Sequence, residues 1–243
     1  MPSPSSHSDN TIPKLPYLGA RLRSLYQWIE AAQQTGAYDE IWDCCCDHGY
    51  LGIKILAREL CQRVHFVDQI PHLITNLQGR LAPYPSERYR TLAADASQLR
   101  FSDQQRHLII IAGVGGENSV EILRQILPKH PEQSLDFLFC PATTQFDLRE
   151  YLHEQRFALL HETMVTEKGR DYEVIGARWN SESSDLPQVS KTGNHWDLTN
   201  DVHHRYLTKL IKHYQRRTLG DNASEAQRIL DIYQAAWNSL TCP

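Results

Sequence analysis

The stretch IWDCCCDHGYLG, residues 41–52, runs from an apolar segment into three consecutive cysteines, an Asp–His pair and two glycines. EIWDC, just upstream and overlapping it, reads as a short buried strand. YLGIKILAREL carries apolar residues at helical spacing and predicts a helix over Tyr50–Cys61. CCDHG is then a strand-to-helix turn, and in a doubly wound sheet such turns line the carboxyl edge where ligands gather. Three chemistries compete for it: a metal site, a reactive thiol centre and a nucleotide-binding turn. Adjacent residues of a strand point to opposite faces, whereas structural zinc uses ligands with two or more residues between them, so the spacing disfavours metal. Cys44 and Cys46 read as small hydrophobes packed under the sheet rather than as reactive thiols.

Outward from this turn the pattern recurs. RVHFVD (63–68), YRTLAA (89–94), HLIIIAG (107–113) and LDFLFC (135–140) are further short apolar runs, separated by helix-like segments over 71–81, 117–127 and 145–155. Strands alternating with helices imply a parallel sheet covered on both faces. FALLHETMVTE (157–167) and DYEVIGARW (171–179), joined at Lys168-Gly169, break the rhythm and read as an antiparallel hairpin at the sheet's end. Before the first strand, Leu18, Leu22, Leu25, Trp28 and Ile29 have helical spacing. The expected fold is α/β and Rossmann-like, a mostly parallel seven-stranded sheet over 17–180. A Ser/Pro-rich, disordered segment over 1–16 precedes it. A linker over 181–196 and a helical hairpin over 197–243 follow, with Gly220 ending the first of these helices and Asn222 or Ser224 capping the second.

Composition narrows the class. The 243 residues are 41% hydrophobic and 22% charged, ordinary for a soluble domain with a full core. No apolar run approaches the roughly 20 residues of a membrane span, and the N-terminus lacks a signal-peptide pattern, so a cytoplasmic protein is expected. Six cysteines, three of them adjacent, suit no disulfide framework. A net charge of −4 does not advertise nucleic-acid binding, which would need a local positive cluster. Oligomeric state is not readable here, a monomer being the favoured expectation.

Acids stand at the ends of the first three strands: Asp43, Asp68 and Asp95. A carboxylate after the second strand can accept hydrogen bonds from both hydroxyls of an unphosphorylated ribose. Acids at all three places disfavour a pyrophosphate-bearing dinucleotide, which wants glycines and a positive helix end. They suit a cationic adenosyl ligand with an amino-acid tail, which is S-adenosylmethionine.

DCCCDHGYLG resembles the D-I-G-S-D-H-A-Y-L-P motif of the TrmK family, the bacterial tRNA methyltransferases that act on N1 of adenine 22. IIIAGVGG (109–116) is similar to that family's I-A-G-M-G-G, and LGARL (18–22) to its L-S-x-R-L start. The segment from Leu138 to Ile175 resembles its L-Q-P-N, L-R-x-W-L and E-x-G-K-x-Y-E-I elements in order and spacing. The resemblance implies a class I methyltransferase fold and S-adenosylmethionine held by Asp43, Cys45, His48, Gly49, Asp68, Gln69, Asp95, Ala96 and Gly113. It implies a catalytic Asp47, which the position of the turn also favours, and a substrate-binding Arg21. The chain departs from the pattern at Cys45 for glycine, Gly49 for alanine, Gly52 for proline and Ala142 for an asparagine that could touch the base. AGVGG, in place of an Asn/Asp-Pro-Pro-aromatic motif, weighs against exocyclic-amine chemistry.

The expected partner is tRNA. Arg205, Lys209, Lys212 and Arg216 make one face of the first C-terminal helix, with Leu207, Leu210, Ile211 and Tyr214 opposite, and no acid occurs between Val202 and Gly220. The plainer reading of such a face is a solvated surface helix. Two rival functions stay open: a methyltransferase for another RNA or a small molecule, and a non-catalytic cofactor- or RNA-binding relative.

Overall fold

The structure is a computed structural model, and it describes residues 15–180 and 185–241. The expected disorder over 1–16 therefore falls, for 1–14, outside the described residues. The strands are β1 (Glu40–Cys44), β2 (Arg63–Asp68), β3 (Tyr89–Ala93), β4 (His107–Ala112), β5 (Leu135–Cys140), β6 (Ala158–Glu167) and β7 (Arg170–Trp179). They form one sheet in the order β3-β2-β1-β4-β5-β7-β6, in which only β7 runs antiparallel to its neighbours. β6 therefore points the same way as β1 to β5, and its carboxyl end lies at the same edge of the sheet as theirs.

Continuous apolar strands arise because both faces are covered. In β4, Leu108 and Ile110 face one apolar layer and Ile109 and Ile111 the other. The first layer packs under α1 (Ala20–Gln33), α2 (Tyr50–Ala57) and α3 (Pro71–Leu81); the second packs under α4 (Gly116–Ile126) and α5 (Gln145–Glu154). α2 stops at Ala57, four residues before the expected Cys61. Glu59 takes a left-handed φ of 53°, Glu59 N donates to Leu56 O at 3.0 Å and Leu60 N donates to Ile55 O at 3.2 Å. That is a Schellman closure built on glutamate instead of the usual glycine.

Of the expected linker, residues 185–190 are pinned along the outer edge of β6. Leu159 N donates to Pro187 O at 2.7 Å, Val189 N donates to Phe157 O at 2.9 Å, and Val189 is fully buried. This covers an otherwise open sheet edge. The C-terminal hairpin is α6 (Asp201–Arg217) and α7 (Ala223–Thr241), with Asn222 at the position before the second helix. It docks on α5 and β6 through Phe146, Leu207, Tyr214 and Tyr233. Beneath it Arg149 of α5 is fully buried. Its guanidinium donates to Glu173 of β7, to Glu162 of β6 at 3.0 Å and to Ser190 O at 3.2 Å, and the Tyr206 hydroxyl of α6 donates to Glu173 at 2.6 Å. One buried cation thus ties the hairpin to the sheet.

Candidate active site

The turn after β1 is built from backbone that few residues adopt. Cys45, Asp47 and Gly49 have φ of 56°, 49° and 65°, alternating with ordinary residues. For a side-chain-bearing residue this left-handed state costs roughly 1–2 kcal/mol, and hydrogen bonds from below hold it. Cys46 N donates to Val67 O at 3.1 Å, Asp47 N to Asp68 Oδ2 at 3.0 Å, and Gly49 N to Cys46 O at 2.8 Å. Gly52 N donates to Asp43 Oδ2 at 2.9 Å, a bond that proline could not make. A Cβ on Gly49 would come within 2.7 Å of the Leu77 side chain, so glycine there answers both to backbone and to packing. Gly49 lines no cavity of the site. Its evident contribution is the shape of the turn.

Two cavities meet over this turn, of about 480 Å³ and 260 Å³, and share Cys45, Asp47 and Val114. The larger is lined by Asp68, Gln69, Asp95 and Ala96, and walled by Val114, Asn118 and Ile122. The smaller takes in Arg21, Asp43, His48, Gly113, Cys46 and Cys140. Asn118 and Ile122, one turn apart on α4, were absent from the sequence-based set, as was Val114. The signal for them was the helix opening immediately after AGVGG, whose first exposed turns must overhang the same edge.

The acids have distinct settings. Asp68 is buried and already accepts from two backbone groups, Asp47 N and Ile70 N, both at 3.0 Å. Each of its oxygens keeps capacity for one further donor. Asp95 accepts from Ser97 N at 2.8 Å. Asp43 is buried beneath the turn, and its carboxyl is pushed up to about 7, chiefly by burial, with the Gly52 N–H opposing and nearby Asp68 adding to the rise. Asp47, by contrast, projects into the opening with its side chain 64% exposed, 3.7 Å from the half-exposed His48. Arg21 lines the same smaller cavity. Its guanidinium lies 3.4 Å from Glu167 at the end of β6 and 4.7 Å above the Tyr172 ring of β7.

The cysteines divide. Cys44 is buried in the α4–α5 layer, whereas Cys46 is part-buried, packs against the α1–α3 layer and also lines the smaller cavity. Burial first, then neighbouring carboxylates, push the Cys45 thiol up to about 11 and that of Cys46 higher, which opposes thiolate chemistry.

The helix α6 presents Arg205, Lys209, Lys212 and Arg216 together on one open face, with Leu207, Leu210 and Tyr214 buried opposite. Arg205 is committed: it reaches both oxygens of Asp171 at 3.0 and 2.7 Å. Among the described residues Lys209, Lys212 and Arg216 make no ion pair. Lys168 and Arg170 in the β6–β7 turn are exposed, and they stand in the chain between Glu167, which holds Arg21, and Asp171, which holds Arg205.

A seven-stranded sheet in this order, with its one reversed strand and a ligand-sized cleft over the first strand-end acids, defines a class I methyltransferase, the class that takes its methyl group from S-adenosylmethionine. The chain belongs to the methyltransferase-domain family, whose profile matches residues 18–175. No curated protein matches it. Among solved structures, it is similar to TrmK of M. capricolum bound to S-adenosyl-homocysteine, with a TM-score of 0.73 at 16% identity over 93% of this chain and 100% of that one. The B. subtilis M1A22 tRNA methyltransferase TrmK gives 0.67 at 18% identity over 94% and 98%. Sp1610 of Streptococcus pneumoniae in complex with S-adenosyl-L-methionine gives 0.66 at 20% identity over 90% and 98%. These likenesses extend over the C-terminal hairpin, and at such identities they establish the shared fold. Among the described residues no helix is long and apolar enough to cross a membrane.

Proposed function

We propose that the protein methylates N1 of an adenine in tRNA, using S-adenosylmethionine. The observation that carries this reading is the position of Asp47, an open carboxylate where the two cavities join, in the same cavity as an anchored Arg21. The residues present fit the cofactor. Asp68 has acceptor capacity left for a ribose, Ala96 and Ile122 offer apolar walls for a base, and Asp43 with the open backbone at Gly113 would receive the amino-acid tail. When bound, S-adenosylmethionine supplies an electrophilic methyl group on a sulfonium.

Neutral adenine already carries a lone pair on N1, so no base is needed to make the nucleophile. The protein's task is to hold N1 in line with the methyl group. The ring becomes cationic as the bond forms, and the Asp47 carboxylate stabilises that charge in place. Arg21 cannot share that role, since its own charge would repel the product. It orients the target nucleotide through phosphate or base-edge contacts. Because pairing hides N1, the adenine must be taken out of its stack to reach Asp47. Lys209, Lys212, Arg216, Lys168 and Arg170 would hold the RNA backbone around the cleft.

A second reading, another RNA or a small molecule, rests on Ala142. It is exposed beside the site, its N–H already given to Val114 O at 2.8 Å, and its methyl offers no hydrogen bond to a base. Single-turnover methylation of tRNA separates the readings: Asp47→Asn should lower the rate about a hundredfold or more with cofactor affinity kept. A parent protein that methylates no tRNA would favour the second.

A further inference from the structure

A third cleft, of about 490 Å³, opens beside the active site on the side of the chain's N-terminal approach. Tyr17, Tyr50 and Tyr84 line it together with Arg80, over a floor that includes Ile53, and no carboxylate lines it among the described residues. Tyr50 belongs both to this cleft and to the smaller cavity of the active site, so the two are neighbours. Arg80 joins them a second time. Its guanidinium lies 4.9 Å above the Tyr50 ring and donates to the carbonyl of His48 at 3.0 Å, in the catalytic turn itself. On the outer rim Arg23 stands 5.6 Å from the Tyr17 ring and donates to its hydroxyl at 3.3 Å. Tyr17 is nevertheless 82% exposed, a large aromatic surface held in water by an arginine on one side.

Aromatic faces interleaved with guanidinium groups, without acids, are what unpaired nucleotides require. Bases stack on the rings and on guanidinium planes, and the cations meet the phosphates. A cleft of this size is in the range that takes one such unit. We infer that this cleft binds an unpaired nucleotide next to the target adenine, its base stacked on Tyr17 and Tyr84 and its phosphate at Arg80 and Arg23. The inference rests on the RNA reading above and deepens it. An adenine drawn out of its stack leaves a neighbour without a partner, and the cleft gives that neighbour a place while fixing the direction in which the strand enters.

The test uses Tyr17, whose exposure lets it change without disturbing the core. Affinity for tRNA is measured over a salt series for the parent, Tyr17→Ala and Tyr17→Phe, with S-adenosylhomocysteine binding as a control. Tyr17→Ala should weaken tRNA binding about tenfold at every salt concentration, since base stacking releases few counterions. The slope against salt and the S-adenosylhomocysteine affinity should stay parental, and Tyr17→Phe should restore binding. If the parent binds and methylates tRNA but Tyr17→Ala binds it equally well, the cleft is no RNA contact while the enzyme reading stands. If Tyr17→Phe fails to restore binding, the hydroxyl rather than the ring matters and stacking is wrong. If the parent neither binds nor methylates tRNA, the RNA reading fails, and this inference with it.

Discussion

Asp43 illustrates how one residue serves structure and chemistry together. Its Oδ2 fixes the start of α2 through Gly52, and its burial holds the carboxyl half-protonated near neutrality. In the unliganded protein the folded state keeps a proton that the unfolded chain loses, so this group's contribution to stability declines as pH rises from about 3.9 toward its folded value. For a cationic ligand the sign reverses. Below about 7 Asp43 is neutral and offers a cation nothing; above it the carboxylate attracts. Calorimetric affinity for S-adenosylmethionine should therefore rise on the order of tenfold between pH 5.5 and 7.5, before the ligand's own amine titrates near about 7.7–8.0. Asp43→Asn should bind with a flat profile over the same interval. A flat profile in the parent would place the ligand's charge away from Asp43. Asp68 is a related case. A search for strand-end acids finds it, but not the two backbone N–H groups it already accepts, which make it a brace for Asp47 as well as a candidate ribose contact.

At the scale of elements, the decisive contacts are those that join α5, β6, β7 and α6. Arg149→Leu would leave Glu173 a buried charge without its cation and deprive Glu162 of its guanidinium partner, at a cost of about 3–5 kcal/mol. For a chain of this length that lowers the unfolding midpoint by roughly 6–20 °C, measurable by circular dichroism. A change of only a degree or two would mean the hairpin is held by Phe146 and Tyr233 alone. This junction was not legible in the sequence. The partners of Arg149 lie 13 and 24 residues away on strands, where no periodicity announces them. The strands themselves were legible, because parallel strands buried on both faces must be short continuous apolar runs. The end of α2 was not, because its left-handed closing residue is Glu59 and carries no glycine signal. In the site, acids at successive strand ends could be read directly. Val114, Asn118 and Ile122 were signalled only indirectly, by the helix that opens after AGVGG, because which of its residues line the cleft depends on how α4 sits over the edge.

For the whole molecule the question is how a chain of net charge −4 would hold a polyanion. The proposed answer is segregation: free cations on α6 and in the β6–β7 turn share one rim, while the acids of the site stay beneath it. The stripe on α6 was readable from its spacing. The loss of Arg205 to Asp171, 34 residues away, was not, nor was the contribution of Lys168 and Arg170, which depends on the direction of β6. Lys209→Glu with Lys212→Glu should keep the fold and cofactor affinity, because the buried Leu207 and Leu210 hold the helix. It should lower the slope of log affinity for tRNA against log salt by roughly 1.5, since each phosphate contact contributes about 0.7–0.9. An unchanged slope would remove α6 from the RNA-binding surface.

The most direct test of the central claim is mass spectrometry of the nucleosides of unmodified tRNA incubated with the protein and S-adenosylmethionine. The expected new nucleoside is 1-methyladenosine, about one per susceptible tRNA molecule, with formation slowed about a hundredfold or more by Asp47→Ala. A methyl group on another base or on the exocyclic amine, no methylation of RNA at all, or an Asp47→Ala variant as fast as its parent would contradict it.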